Sequence, residues 1–286
     1  MKLGCHISVA QGFAQAARKA VALGAESFQV FTKSPRSLKS KKVDVADAEK
    51  GVAYCKEQGL SVITHTPYIT NLSTPDPGLQ EATIRSLQED LIISGHYGAI
   101  GAVVHCGKHV GEGEELGIQR MIDTINRILD GTESPALLLL ENTAGQGSEL
   151  GKELETLVRV REAVEQKDRL GFCFDTCHSF AAGLWQGGEL EQFLHLAKET
   201  GYLPHVKAVH LNDSKAPYDS RKDRHEKIGQ GEIGLEAILD FLESFPLSGM
   251  PVVLETPVQR EEEYADEMEM VRRKLAERSA SRGAAR

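Results

Sequence analysis

Six short apolar runs in this chain each end in a group that binds metal ions: SVITH at His65, AVVH at His105, ALLLLE at Glu141, GFCFD at Asp175, VKAVH at His210 and PVVLE at Glu255. Imidazoles and carboxylates are the ordinary ligands of divalent cations. Any one of these residues alone has a plain structural explanation, a hydrogen-bonded histidine or a core ion pair. Six in phase are harder to dismiss, because burying so many ionisable groups is costly unless something compensates. Cations neutralise the carboxylates and coordinate the imidazoles at once. The expected chemistry is that of a multi-metal enzyme.

Two loop segments enlarge the set. FDTCH places His178 three residues beyond Asp175, and KDRH places Asp223 and His225 after the VKAVH run. In an extended segment alternate side chains point the same way, so Asp-x-His aims both groups to one side. The bland reading of KDRH is a solvated loop, since Lys222, Arg224 and Glu226 are surface types. Beside His178 it becomes a separate His/Asp/His set, enough for one zinc with open positions. The nine candidates are His65, His105, Glu141, Asp175, His178, His210, Asp223, His225 and Glu255. Five imidazoles and four carboxylates suit Zn²⁺, with Mn²⁺ as an alternative occupant of one or more sites. Nine ligands are too many for one ion; with one carboxylate bridging, three ions fit. Asn142, Thr176, Asn212 and Asp213 follow candidate ligands by one to three residues and are expected to orient them. His6 and His109 stay open between supporting the site and a structural role.

What must position these groups is a repeated unit. The intervals between the six caps are 40, 36, 34, 35 and 45 residues, the length of a strand plus a helix. Eight strands are expected, at 3–8, 27–32, 61–66, 102–107, 136–142, 170–176, 206–212 and 251–256. Helical periodicity falls between them, first over 9–24, where apolar positions 9, 13, 16, 17, 20 and 21 share a face and Gly24 suits a C-terminal cap. Segments 79–98, 114–130, 149–166, 188–201 and 234–245 are similar. Near-continuously apolar strands alternating with amphipathic helices mean a parallel sheet covered by helices. Eight such units close into a single (β/α)8 TIM barrel with its active site at the C-terminal mouth of the strands. An open doubly wound sheet would carry a glycine fingerprint after its first strand, and no GxGxxG follows Gly4. Polar loops 33–43, 66–78, 107–115, 143–149, 176–188 and 213–232 would then lie on the catalytic face. The barrel is expected over 1–270, followed by a basic tail, 271–286, that frays from a terminal helix.

Composition fits this scale. With 286 residues, 41% hydrophobic and 26% charged, the chain can bury one large core. No apolar run approaches the roughly 18 residues of a membrane span. The start, MKLGCHISVAQG, has no signal-peptide pattern, so a cytoplasmic location is expected. Five scattered cysteines, with no CxxC pair, are expected to be buried thiols; Cys173 and Cys177, flanking Asp175, would share its face on a strand. A net charge of −9 alone argues against a polyanionic partner. The charge is uneven, however: residues 33–42 carry five positive charges and no negative one, and 271–286 carry six against one.

At this point the residues match a family. HTPYITNL, GFCFDTCH and HLNDSK…DRH, with LLLLENTAGQG and IGQGEIG, are similar to the signatures of the endonuclease IV family of apurinic/apyrimidinic endonucleases, over positions 3–257. GFCFDTCH is long and specific; Thr70, Ser73 and Asp219 depart from the pattern, none of them at a candidate ligand. The resemblance implies that His65, His105 and Glu141 hold a first zinc. Glu141 would bridge to a second, completed by Asp175, His210 and Glu255, and His178, Asp223 and His225 would hold a third. The implied reaction is hydrolysis of the phosphodiester 5′ to an abasic site by a zinc-activated hydroxide, with Glu141 steering or deprotonating the water. It leaves a 3′-hydroxyl and a 5′-deoxyribose phosphate, and the same chemistry trims blocked 3′ ends.

The implied partner is double-stranded DNA carrying abasic sites or blocked 3′ ends, met by a monomer. Arg36, Tyr68 and Ile69 fall where family members insert loop side chains into the duplex. An aromatic and an aliphatic wedge beside a cation suit unstacking and bending, and extrusion costs less where the base is already missing. Lys33 and the rest of the run to Lys42 are expected to contact phosphates. The competing reading is a divalent-metal sugar isomerase or epimerase of the xylose-isomerase-like barrel class, which also gathers Glu, Asp and His at strand ends. A catalytically silent DNA-binding module is a third, but it would tolerate loss of ligands, and none is missing.

Overall fold

The computed structural model describes residues 1–188 and 190–284. In chain order the elements are β1 (Lys2–His6), α1 (Phe13–Ala22), β2 (Ser27–Phe31), α2 (Val45–Gln58), β3 (Ser61–His65), α3 (Pro77–His96), β4 (Gly101–His105), α4 (Glu114–Asp130), β5 (Leu137–Glu141), α5 (Leu154–Ala163), β6 (Leu170–Asp175), α6 (Thr176–Ala181), α7 (Leu190–Glu199), β7 (Val206–Leu211), β8 (Asp213–Ser214), β9 (His225–Glu226), α8 (Leu235–Ser244), β10 (Pro251–Leu254) and α9 (Glu263–Ala284). All eight expected strands form, with ends within two residues of expectation. They close as a parallel barrel in the order β1-β10-β7-β6-β5-β4-β3-β2, while β8 and β9 pair separately as an antiparallel ribbon.

The period of two along a strand explains the interior. Two residues before each of the six cap residues stand Ile63, Val103, Leu139, Cys173, Ala208 and Val253, and these six form one fully buried cluster. Alternate residues face the same way, so the polar caps lie in one inward layer and these residues form an apolar floor beneath it. On β1 and β2 the equivalent pairs are His6 over Gly4 and Gln29 over Ser27. Gly4 has no room for a side chain, because a Cβ there would overlap the Ser27 carbonyl. Around the ring the register steps by two residues at four strand pairs, Gln29 to Ile63, His65 to Val103, Glu141 to Cys173 and His210 to Val253. Four such steps make a shear of 8, the usual value for this barrel.

Several expectations need correction. Helix α2 fell outside the periodic segments because its buried face is made of small residues, Ala48, Gly51 and Cys55, rather than large apolar ones. A side chain at Gly51 would strike the Phe13 ring of α1. Segment 176–188 begins with α6, so Cys177 lies on a helix and not on the strand face of Asp175. Segment 213–232, expected as a polar loop, contains β8 and β9. The tail does not fray at residue 271: α9 continues to Ala284, and Arg278 and Arg282 bind Glu243 of α8 at 3.6 and 3.0 Å. Ala285, Arg286 and Glu189 lie outside the described residues. All five cysteines are free and buried, as expected. Among the described residues no helix is long and apolar enough to cross a membrane.

Candidate metal centre

Each strand delivers its last inward side chain to the same place. Three groups of donors have atoms within 4.8 Å of one another: His65, His105 and Glu141; Glu141, Asp175, His210 and Glu255; His178, Asp223 and His225. All nine residues singled out in the sequence are among them. Glu141 belongs to two groups: its Oε2 lies 3.1 Å from His105 Nε2 and 3.4 Å from His65 Nε2, and its Oε1 lies 2.8 Å from His210 Nδ1. A fourth grouping, Asp175, Cys177 and His225, overlaps these; burial pushes the Cys177 thiol up to about 12, and its sulfur sits 3.5 Å from the Arg224 carbonyl.

Local structure aims these groups. Asp175 ends β6 and caps α6, its Oδ1 accepting from the His178 backbone N–H at 2.7 Å. The first helical turn then swings the His178 ring, three residues on, back into the mouth. Asn142 clasps the Asp175 peptide, accepting from its N–H at 2.7 Å and donating to its carbonyl at 3.1 Å. Asn212 donates to Asp175 Oδ2 at 2.7 Å and accepts from the Glu255 N–H at 3.0 Å, while Thr176 is bonded to both Asn212 backbone groups. Asn142 and Asn212 thus hold the candidate ligands Asp175 and Glu255 directly, and Thr176 acts on them through Asn212. The β8–β9 ribbon carries His225 to the site, where its Nε2 stands 3.3 Å from Asp223 Oδ1.

Asp213 does something else. Its carboxylate accepts from the backbone N–H of Ser214, Gly229, Gly231, Ile233 and Gly234, and so holds the IGQGEIG segment in place. His109 accepts from the Gly113 N–H in its own loop and is structural. His6 lies beside the site, with its Nδ1 3.2 Å from Gln29 Nε2, and burial lowers its pKa to about 4.

Ring orientation follows one rule in three of the histidines. His65, His178 and His225 turn Nδ1 towards a backbone carbonyl, at 2.7, 2.9 and 3.2 Å, which leaves Nε2 facing inward. The charges are coupled. Burial opposes ionisation of Glu141, but His210 and His105 hold its carboxyl well below the usual range. Glu255 is lowered in the same way, against burial, by His210 and His65. Burial likewise opposes protonation of His178, and Asp175 and Asp223 outweigh it, raising its pKa well above the ordinary value. His210 is raised against burial by Cys173, Glu255 and Glu141. A field that favours positive charge at several buried points also favours a bound cation there.

The fit to metal rests on the unsatisfied atoms. Glu141 Oε2 and His225 Nε2 are buried without a hydrogen-bond partner, although other donor groups stand close by. Groups that converge on a common point instead of pairing with one another suit coordination. The donor set, nitrogen and oxygen only, suits zinc or a similar divalent ion.

The expected DNA-contact residues divide. Tyr68 and Ile69 stand on the β3–α3 loop at 51% and 44% exposure, and Arg36 is exposed on the β2–α2 loop. The two loops are joined by a bond from Tyr68 N–H to the Pro35 carbonyl, 2.9 Å. The Tyr68 ring packs edge-on against His65 at 5.2 Å. A cleft of about 280 Å³ lies beside it, lined by Ile69, Asn71, His105 and Lys108 among others. Lys33 is a correction. It is buried, bonded to the Ser86 carbonyl at 3.0 Å and paired with Glu89 at 3.2 Å and Asp90 at 3.3 Å, so it anchors the loop to α3 instead of facing a duplex. Gln29 was missed: it is fully buried and bonded to both Glu255 and His210. Its only sequence signal is one amide in the apolar run SFQVF.

Comparison with known proteins agrees with this geometry. Residues 17–274 match the family model described as a xylose isomerase-like TIM barrel. A probable endonuclease 4 of Symbiobacterium thermophilum is 53% identical over 272 residues, covering 95% of this chain and 99% of the relative. Another, from Akkermansia muciniphila, is 37% identical over 89% of this chain and 92% of its own length. The crystal structure of endonuclease IV from Thermus thermophilus superposes with a TM-score of 0.86 at 34% identity, covering 97% of this chain and all of that one. A D-tagatose 3-epimerase-like protein, with a TM-score of 0.70 over 98% of this chain and 100% of its own, is 17% identical and shares the fold alone. Fold, donor geometry and these relatives together place the chain in the endonuclease IV family of the xylose isomerase-like TIM barrels.

Proposed function

We propose that the protein is a metal-dependent DNA-repair endonuclease that hydrolyses the phosphodiester 5′ to an abasic site. The products are a 3′-hydroxyl and a 5′-deoxyribose phosphate, and the same chemistry trims blocked 3′ ends. The observation that carries this reading is the convergence of nine donors in three groups, two of which share Glu141. Three Zn²⁺ ions per chain fit that arrangement, with Mn²⁺ as an alternative occupant. A divalent ion bound there lowers the pKa of water from about 15.7 towards 7 and draws charge from the phosphate oxygens.

The chain's own residues do the rest. His65 and His105 with Glu141 form the first site; Asp175, His210 and Glu255 with the shared Glu141 form the second; His178, Asp223 and His225 form the third. Glu141, ionised and shared between two donor groups, is placed to steer the attacking water or take its proton. Partial burial, with Glu255 and Glu141 nearby, pushes the Tyr68 phenol further up from its ordinary value, so it is a neutral hydrogen-bond donor at the rim. Tyr68 and Ile69 enter the duplex as a wedge, with Arg36 beside them on the adjoining loop to hold a phosphate.

The test is cleavage of a duplex bearing one abasic site, with and without a chelator, and mapping of both product ends. Incision 5′ to the lesion, abolished by the chelator, is expected. Absence of cleavage by fully metal-loaded protein would overturn the reading. His225→Ala should remove one metal per chain and leave the fold intact; wild-type activity together with wild-type metal content would refute the third site.

A further inference from the structure

We infer that Gln29 is a positioning residue for the donor group of Glu141, Asp175, His210 and Glu255, fixing which nitrogen of His210 faces that group and how Glu255 is turned. The inference rests on the metal reading above. Strand β2 contributes no member of the nine, yet its inward residue is a fully buried amide. Gln29 Nε2 lies 2.6 Å from Glu255 Oε1, and Gln29 Oε1 lies 2.8 Å from His210 Nε2.

The chemistry of the partners fixes every proton in this chain. An ionised carboxylate only accepts, so the amide nitrogen must be the end facing Glu255. The amide oxygen is then the end facing His210, and it also only accepts. His210 Nε2 must therefore carry the hydrogen. Once the ring gives up its second proton, the lone pair of His210 is left on Nδ1, which stands 2.8 Å from Glu141 Oε1 and 3.1 Å from Glu255 Oε2. This is opposite to His65, His178 and His225, which offer Nε2. Those three are held by backbone carbonyls, which survive any substitution. His210 is held by a side chain, so its orientation can be changed by replacing one residue outside the ligand set.

The test uses the whole protein with Cd²⁺ as the probe, followed by ¹¹³Cd NMR and by competition with a chromophoric chelator. Gln29→Met keeps the length of the side chain and removes its hydrogen bonds to Glu255, His210 and His6. It should weaken one of three sites by about 10- to 100-fold and move that site's resonance, with the other two sites and the melting temperature of the metal-free protein unchanged. Gln29→Glu keeps an acceptor for His210 Nε2–H and, with one proton shared between the two carboxyl groups, a donor to Glu255, so it should move the resonance less than Gln29→Met. Wild-type affinities and resonances in Gln29→Met would overturn the inference, and so would equal weakening of all three sites with a lower melting temperature, which marks a merely structural role. Should wild-type protein bind no Cd²⁺, the metal reading falls and this inference with it; normal binding by wild type and variant alike removes the role of Gln29 alone.

Discussion

At the scale of single residues, the site is a set of proton-binding groups arranged to prefer metal. His178 and His210 have pKa values raised well above the ordinary histidine value of 6.5, against burial, His178 by Asp175 and Asp223 and His210 by Cys173, Glu255 and Glu141. Metal-free folded protein therefore holds protons on these rings near neutral pH, and a cation must displace them. Metal uptake at pH 7 should release protons, and apparent affinity should fall as the pH drops. Calorimetric titration in two buffers of different ionisation enthalpy reads the release directly; identical heats in both would contradict it. The sign for folding is the usual one for a raised histidine. The stabilisation is full below about 6.5 and is lost as the pH rises through the folded values. The nine donors were legible because each is a reactive group at the end of an apolar run or in a short motif beside one. Gln29 was not, because one amide in a strand has no distinguishing spacing. Asp213 was misread because a place three residues beyond His210 says nothing about the direction of a side chain past the strand end.

Among the elements, the anchoring of the β2–α2 loop shows how charge in sequence differs from charge on a surface. Lys33 opens a run of five cations, yet it is drawn under the loop by Asp90 and Glu89 of α3. Lys33→Met should cost about 3 kcal/mol of folding stability, the lower end for breaking a buried pair. Asp90 softens the loss, since burial, opposed by Lys33, already raises its carboxyl to about 6 and it can take up a proton. Its folded value lies above the unfolded one, so the protonated form favours folding, and without Lys33 it rises further. The deficit of the variant should be greatest at pH 8 and shrink as the pH falls towards 6. Urea unfolding across that range checks it; a pH-independent deficit would be inconsistent with the pair. Strands and large-faced helices were readable from apolar periodicity, whereas α2 packs through Ala48, Gly51 and Cys55 and leaves almost no periodic signal. The one-turn geometry of α6 is set by the Asp175 cap, a feature of a bond and not of a pattern.

For the molecule as a whole, the proposed metals are cross-links. Their ligands come from the ends of six of the eight barrel strands, from α6 and from the β8–β9 ribbon, so cations that bind the folded state alone stabilise all of them together. Chelation should lower the melting temperature and abolish cleavage, and re-adding Zn²⁺ should restore both; an unchanged melting temperature would show that the ligands are held rigid by the protein alone. The exposed cations of the β2–α2 loop, Arg36, Lys39 and Lys42, predict DNA binding that weakens with salt.

The floor of Ile63, Val103, Leu139, Cys173, Ala208 and Val253 carries one more implication. It is a stopper: fully buried side chains close the base of the barrel beneath the candidate ligands, and the mouth that the proposed duplex would cover is the open side. Substrate and chelator then compete for one doorway. Metal loss should be slower from the DNA-bound enzyme than from the free one, in proportion to the time the duplex stays docked, so the substrate acts as a lid that keeps the cofactors of its own cleavage in place.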